Sequence, residues 1–148
     1  MVIISHANRM DITGHIKNLI LRKNRDMYTY EAKLVKVVDG DTIDVTIDLG
    51  FDVSVKKRVR FQGINAPESR TRDLKEKALG LAAKDRVKCI LAENPCFTLE
   101  STELGKYGRV LGKIHVNMLD GSECLTQICL NDQLIKEKHA VAYFGGKR

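Results

Sequence analysis

Three short segments, in a fixed order, hold the residues of this chain best suited to chemistry. They are Val38–Ile43 (Val-Asp-Gly-Asp-Thr-Ile), Arg60–Glu68 (Arg-Phe-Gln-Gly-Ile-Asn-Ala-Pro-Glu) and Gly105–Arg109 (Gly-Lys-Tyr-Gly-Arg). Each sets a charged residue beside a turn former at the end of an apolar run. Together they supply the carboxylates Asp41 and Glu68 and the guanidiniums Arg60 and Arg109. Carboxylates can hold a hard divalent cation through oxygen and orient a water. Paired arginines can grip a phosphate with parallel N–H donors. That set suits hydrolysis of a phosphodiester, where negative charge builds on the phosphoryl oxygens.

Taken singly, each residue has a plainer role. Asp41 could cap a turn, and Glu68 could open a helix, where an acid suits the dipole. Arg60 could be a solvated strand residue among Lys56, Lys57 and Arg58, and Arg109 could pair with Glu103. Tyr107 and Tyr143 could be ordinary packing. It is the conjunction that points to a site.

The elements around these segments are mostly strands. Ala32–Val38 is β-branched and ends at the Asp39-Gly40 turn signal. Ile43, Val45, Ile47 and Leu49 alternate with polar residues, as do Val53, Val55, Val59 and Phe61, with Lys57 interrupting the second face. These patterns predict a three-strand meander with one buried face. A helix is expected from about Thr71 to Ala92, with Leu74, Ala78, Leu81, Ala82 and Cys89 at helical spacing, ended by Pro95. Phe97–Ser101 and Val110–Val116 read as a fourth and fifth strand, joined through Gly105–Arg109. Asp120-Gly121 reads as a turn and Leu125–Leu130 as a short second helix. Before the strands, residues 11–23 form an amphipathic pattern: Asp11 can cap, and Ile12, Ile16, Leu19 and Ile20 share a face. The fold class is therefore mainly β with helices (α+β). The expected architecture is a five-stranded barrel of the oligonucleotide-binding type, with an additional N-terminal helix. Residues 1–28 form an N-terminal extension and residues 29–148 the main domain.

Composition bounds the partners. The 148 residues make one domain with room for a hydrophobic core. The net charge is +6, with the excess at both ends and the acidic cluster in the balanced middle. Such a surface suits a polyanion, with carboxylates set aside for a cation. The four cysteines, Cys89, Cys96, Cys124 and Cys129, have no C-x-x-C spacing, and the histidines are scattered, which argues against zinc. Cys89, in Val-Lys-Cys-Ile-Leu, is expected to be a buried free thiol. No signal-peptide pattern or membrane-length apolar stretch is present, so a cytoplasmic location is expected, with no membrane partner.

In this order and on these elements, the three segments resemble the staphylococcal (thermonuclease-type) nuclease family, over about residues 29–146. The resemblance implies a five-stranded barrel and a Ca²⁺-dependent endonuclease acting on DNA and RNA. Cleavage on the 5′ side of the phosphate would leave 3′-phosphate ends. By motif position, Asp41 matches the calcium aspartate, with Asn65 and Ala66 at the other metal positions. Arg60 and Arg109 match the phosphate-gripping arginines. Glu68 matches the glutamate that orients or deprotonates the attacking water. Lys106 and Tyr107 match residues beside the nucleotide phosphate, and Tyr143 a tyrosine flanking the nucleotide. A catalytically impaired nucleic-acid-binding module is the alternative; a third reading is a structural or partner-binding protein.

The chain departs from the family pattern in three places. The N-terminal helix stands in for a further C-terminal one, and it is expected to cover apolar surface or to mediate self-association. Asn65 stands where the family usually has a second metal-binding aspartate, and Ala66 where some members have threonine. An amide oxygen can ligate calcium but brings no charge, so cation binding should be weakened or shifted to another divalent ion. Asn65→Asp should therefore change metal affinity in a calcium titration; unchanged affinity would contradict this reading.

Overall fold

A computed structural model describes residues 28–119 and 125–144. Its strands are β1 (Tyr28–Asp39), β2 (Thr42–Asp48), β3 (Ser54–Phe61), β4 (Ile64–Asn65), β5 (Cys96–Leu104), β6 (Val110–Leu119), β7 (Leu125–Cys129) and β8 (Val141–Ala142). Helix α1 (Leu74–Glu93) lies between β4 and β5, and α2 (Leu130–Lys136) follows β7. The predicted N-terminal helix and the Asp120-Gly121 turn lie outside the described residues.

The alternating strands behave as their period demands. Ile43, Val45 and Ile47 of β2 are buried, as are Val59 and Phe61 of β3. The main sheet runs β3-β2-β1-β5-β6-β7, antiparallel between neighbours. Strand β3 also pairs with β6, in parallel, through Val59↔Val110, Arg60↔Leu111 and Phe61↔Gly112. The pairings among β1, β2, β3, β6 and β5 therefore return on themselves. A second sheet pairs β4 with β8 and brings Asn65 opposite Val141.

Asn131, almost wholly buried on α2, pins the parallel junction. Its Nδ2 donates to the carbonyls of Gln62 (2.8 Å) and Gly112 (3.2 Å), and its Oδ1 accepts from the Ile114 N–H (3.2 Å). Three main-chain groups at the end of a strand pair are thus satisfied by one amide.

Helix α1 is capped by Asp73, whose carboxylate accepts from the Lys75 N–H at 3.0 Å. At its far end the Asn94 amide donates to the Ile90 carbonyl, and Pro95 passes the chain to β5. The buried face comprises Gly80, Ala83, Val87, Ile90 and Leu91. The face expected from sequence (Leu74, Ala78, Leu81, Ala82 and Cys89) is exposed, so the Cys89 thiol is not buried. In its first half that face is small, Gly80 and Ala83, because the helix backbone there lies close to the Glu68–Ser69 loop and the β1–β2 turn. There, size rather than hydropathy selects what fits.

Leu125–Cys129 is a strand, not the expected start of a helix. It pairs with the outer edge of β6 from Leu119↔Leu125 to His115↔Cys129. Satisfying that edge ladder outweighs a helix-leaning local pattern. The helix begins only at Leu130.

An ion pair ties the two helical regions. Arg86 of α1 donates to both Glu137 oxygens, at 2.9 and 2.7 Å. The Arg86 hydrogen bonds hold the Glu137 carboxyl below its ordinary value of 4.5, against an opposing push from burial. The pair's contribution is therefore complete above that value and lost as the pH falls through the lower folded-state value. Glu137→Gln should cost about 1 kcal/mol at neutral pH, given partial exposure. In urea unfolding the gap from wild type should shrink as the pH falls below 4.5; a gap independent of pH would contradict it.

Candidate functional site

The site is built where the β1–β2 turn, the end of β3 and the loop after β4 meet. Gly40 and Asp41 make the turn between β1 and β2. Gly40 does not need a left-handed backbone; it needs the absence of a side chain. A Cβ there would stand 2.7 Å from the Ala83 Cβ of α1 and 3.1 Å from the Ala66 Cβ. That close approach sinks Asp41 to 5% exposure.

The buried Asp41 carboxylate is fully engaged. Oδ1 accepts from the Thr42 hydroxyl at 2.9 Å. Oδ2 accepts from Arg60 Nη1 at 3.2 Å and from the Ala66 N–H at 3.0 Å. The second arm of the Arg60 guanidinium donates from Nη2 to Asn65 Oδ1 at 3.2 Å. Arg60 reaches this point because it lies opposite Thr42 in the β2–β3 ladder. The Asp41 carbonyl also accepts the Phe61 N–H at 2.8 Å, fixing the two segments to each other.

Glu68 lies three residues beyond Asn65 on an exposed loop. Its backbone is held from two sides. Next to it, the buried Ser69 hydroxyl donates to the Asp39 carboxylate. Gly80 of α1 presses on the same stretch: a Cβ there would lie 2.6 Å from the Glu68 carbonyl carbon and oxygen. A glycine inside a helical run is a sequence signal for such an approach. Asp39 and Thr42 stand in the first sequence segment without an assigned role at the site, and nothing in the spacing pointed to Ser69.

The remaining expected residues fall into two grooves. Arg60, Lys113 and Tyr143 line one, of about 390 Å³. Tyr143 is held there because its N–H donates to the Gly63 carbonyl at 2.8 Å. Arg109 and Tyr107 line the other, of about 600 Å³, with Lys56, Lys57, Arg58, Asp44 and the apolar floor of Val35 and Val45. Tyr107, 93% exposed and with φ +64°, projects from a 3-10 turn over Lys106–Gly108, and the Arg109 guanidinium lies 5.9 Å from its ring centre. The structure thus brings Asp41, Arg60, Asn65 and Ala66 into one hydrogen-bonded cluster. Arg109 and Tyr107 share a groove different from that of Arg60 and Tyr143. The Lys106 side chain lies outside the described atoms.

Among the described residues, no group of three His, Cys, Asp or Glu side chains is placed to hold a metal ion. The donor types at Asp41 and Asn65, a carboxylate and an amide oxygen, suit a hard cation. Both are turned toward the Arg60 guanidinium instead.

A family model described as staphylococcal nuclease homologue matches residues 58–148. The chain belongs to the staphylococcal nuclease family. Arg60, Asn65, Ala66, Glu68, Lys106, Tyr107, Arg109 and Tyr143 fall inside the region matched to that nuclease family; Asp41 precedes it. The chain is also 30% identical to Protein ParB of Escherichia coli over 112 residues, covering 76% of this chain and 56% of that protein. It therefore spans little more than half the length of that relative. No described helix is long and apolar enough to cross a membrane.

The packing at Gly80 yields a direct test. Alanine is ordinarily the better helix former by about 1 kcal/mol. Here Gly80→Ala should instead destabilise, by about 1–3 kcal/mol, because the methyl must displace the Glu68–Ser69 backbone. Denaturant unfolding measures it, and a stabilised variant would contradict the close approach.

Proposed function

We propose that the protein is a divalent-metal-dependent endonuclease that hydrolyses phosphodiester bonds of DNA and RNA. Membership of the staphylococcal nuclease family supports this reading. The single observation that carries it is the cluster in which one buried carboxylate, Asp41, is bonded to Arg60 and to the loop leading to Glu68. We take the returning strand pairings to be an oligonucleotide-binding-type barrel, and the two basic grooves to be the approach for the polynucleotide.

Asp41, the Asn65 amide oxygen and the main chain at Ala66 would hold the metal. Calcium held there would supply positive charge that acidifies water and offsets the charge of the phosphate. Glu68, exposed at the loop, would orient the attacking water and take its proton. Attack on phosphorus with departure of the 5′ oxygen leaves a 3′-phosphate end. Arg60 and Arg109 approach the phosphate from the two grooves and donate hydrogen bonds to the charge that develops on it. Lys106 and Tyr107 flank the bound phosphate, and Tyr143 packs beside the nucleotide. Few aromatic residues are available to stack bases, so the reading carries no base preference.

A nucleic-acid-binding module that has lost the chemistry is the second reading. It is favoured by the neutral Asn65, whose amide oxygen brings no charge to a cation.

Purified protein incubated with end-labelled single-stranded DNA in calcium, magnesium or chelator separates the two. Cleavage should require the divalent ion and leave 3′-phosphate ends, and Glu68→Gln should slow it about 10²-fold or more. Retained DNA binding with no cleavage in any metal would overturn the nuclease reading in favour of the binding module.

A further inference from the structure

The Arg60 guanidinium spans the gap between the two side chains that a metal would need. Nη1 is 3.2 Å from Asp41 Oδ2 and Nη2 is 3.2 Å from Asn65 Oδ1. Both partners of the Arg60–Asp41 pair are largely buried, with side-chain exposures of 17% and 7%. The charge is balanced without any other ion: one carboxylate, one guanidinium and one neutral amide. A dication placed between Asp41 and Asn65 with Arg60 still there would meet a buried positive charge at close range, and of those two side-chain ligands only Asp41 is charged. Asn65 sharpens the conflict, because an aspartate at that position could have satisfied both cations.

Arg60 has somewhere else to go. It also lines the groove shared with Tyr143 and Lys113, which is open to solvent and basic enough to receive a phosphate. Arg109 cannot take its place between Asp41 and Asn65 from where it stands, because it lines the other groove beside Tyr107.

We propose that Arg60 is the resident cation of the Asp41–Asn65 site, and that a divalent ion binds there only as a phosphate draws the guanidinium away. Arg60 then has two positions: a closed one on Asp41 and Asn65, and an open one on the substrate phosphate. Metal entry is coupled to substrate arrival because both depend on the same side chain leaving Asp41. The apparent metal affinity is the intrinsic affinity scaled by the fraction of molecules in which Arg60 has left. This rests on the metal-dependent reading above and assigns the regulation of that site.

Calorimetric titration of calcium into the full chain, without nucleic acid, tests it independently of turnover. Arg60→Gln cannot neutralise Asp41 and should bind calcium about tenfold or more tightly than wild type. Arg60→Lys keeps the charge but cannot bridge both oxygens, and should fall between them. A second titration adds a short single-stranded DNA in a Glu68→Gln background, in which cleavage is slow. The DNA should tighten calcium binding when Arg60 is present and lose most of that effect in Arg60→Gln. Calcium binding by folded Arg60→Gln that is no tighter than wild type, or absent in all forms, would overturn the proposal. Failure of the wild type to cleave DNA in calcium, with the Arg60→Gln gain intact, would sink the nuclease reading and leave Arg60's role standing.

Discussion

One buried carboxylate organises the candidate site of this molecule. Asp41 lies at 5% exposure with acceptor bonds from Thr42, Arg60 and Ala66. A charged group in that position is tolerated only because every bond it needs is supplied. Those bonds come from three places: the start of β2, the end of β3 and the loop after β4. The requirement to satisfy Asp41 therefore draws together the segments that carry the site. Gly40 makes the burial possible by letting Ala83 and Ala66 close over the turn.

The second constraint is the close approach of α1. The helix meets the β1–β2 turn through Ala83 against Gly40, and the Glu68–Ser69 backbone through Gly80. The placement of Glu68 is thus inherited from a helix that contributes no functional side chain of its own. On the opposite side, Asn131 locks the parallel meeting of β3 and β6. That junction sets Arg60 and the turn bearing Arg109 on adjacent strands while leaving them in separate grooves. A phosphate gripped by both would bridge the two grooves.

The sequence was most informative where a residue's type and its neighbours impose one geometry. The alternation of Ile43, Val45 and Ile47 announces β2, and Asp39-Gly40 announces the turn. Arg60, Asn65, Ala66 and Glu68 could be named as a group from their motif. What the sequence could not express is how closely backbones approach one another. Leu74, Ala78, Leu81, Ala82 and Cys89 look like the core face of α1, yet Gly80, Ala83, Val87, Ile90 and Leu91 are buried. The first half of α1 sits so near the β1–β2 turn and the Glu68–Ser69 backbone that Gly80 and Ala83 mark the contact. Leu125–Cys129 became a strand because the edge of β6 offered hydrogen bonds, a condition set by residues distant in sequence. The Arg60 bridge to Asn65 was equally hidden, since spacing gives proximity but not which charge a carboxylate chooses.

The central claim is that Asp41 holds the fold of the site and its chemistry together. Asp41→Ala tests it most directly, with Glu137→Gln as the comparison, since Glu137 pairs with Arg86 at 2.7 Å and lines neither groove. Unfolding free energy and calcium-dependent DNA cleavage would be measured on the same preparations. The account predicts that Asp41→Ala loses about 2–4 kcal/mol, by stranding a largely buried guanidinium and a main-chain donor, and loses cleavage as well. Glu137→Gln should lose no more than about 1 kcal/mol and continue to cleave. An Asp41→Ala protein as stable and as active as wild type would contradict the account.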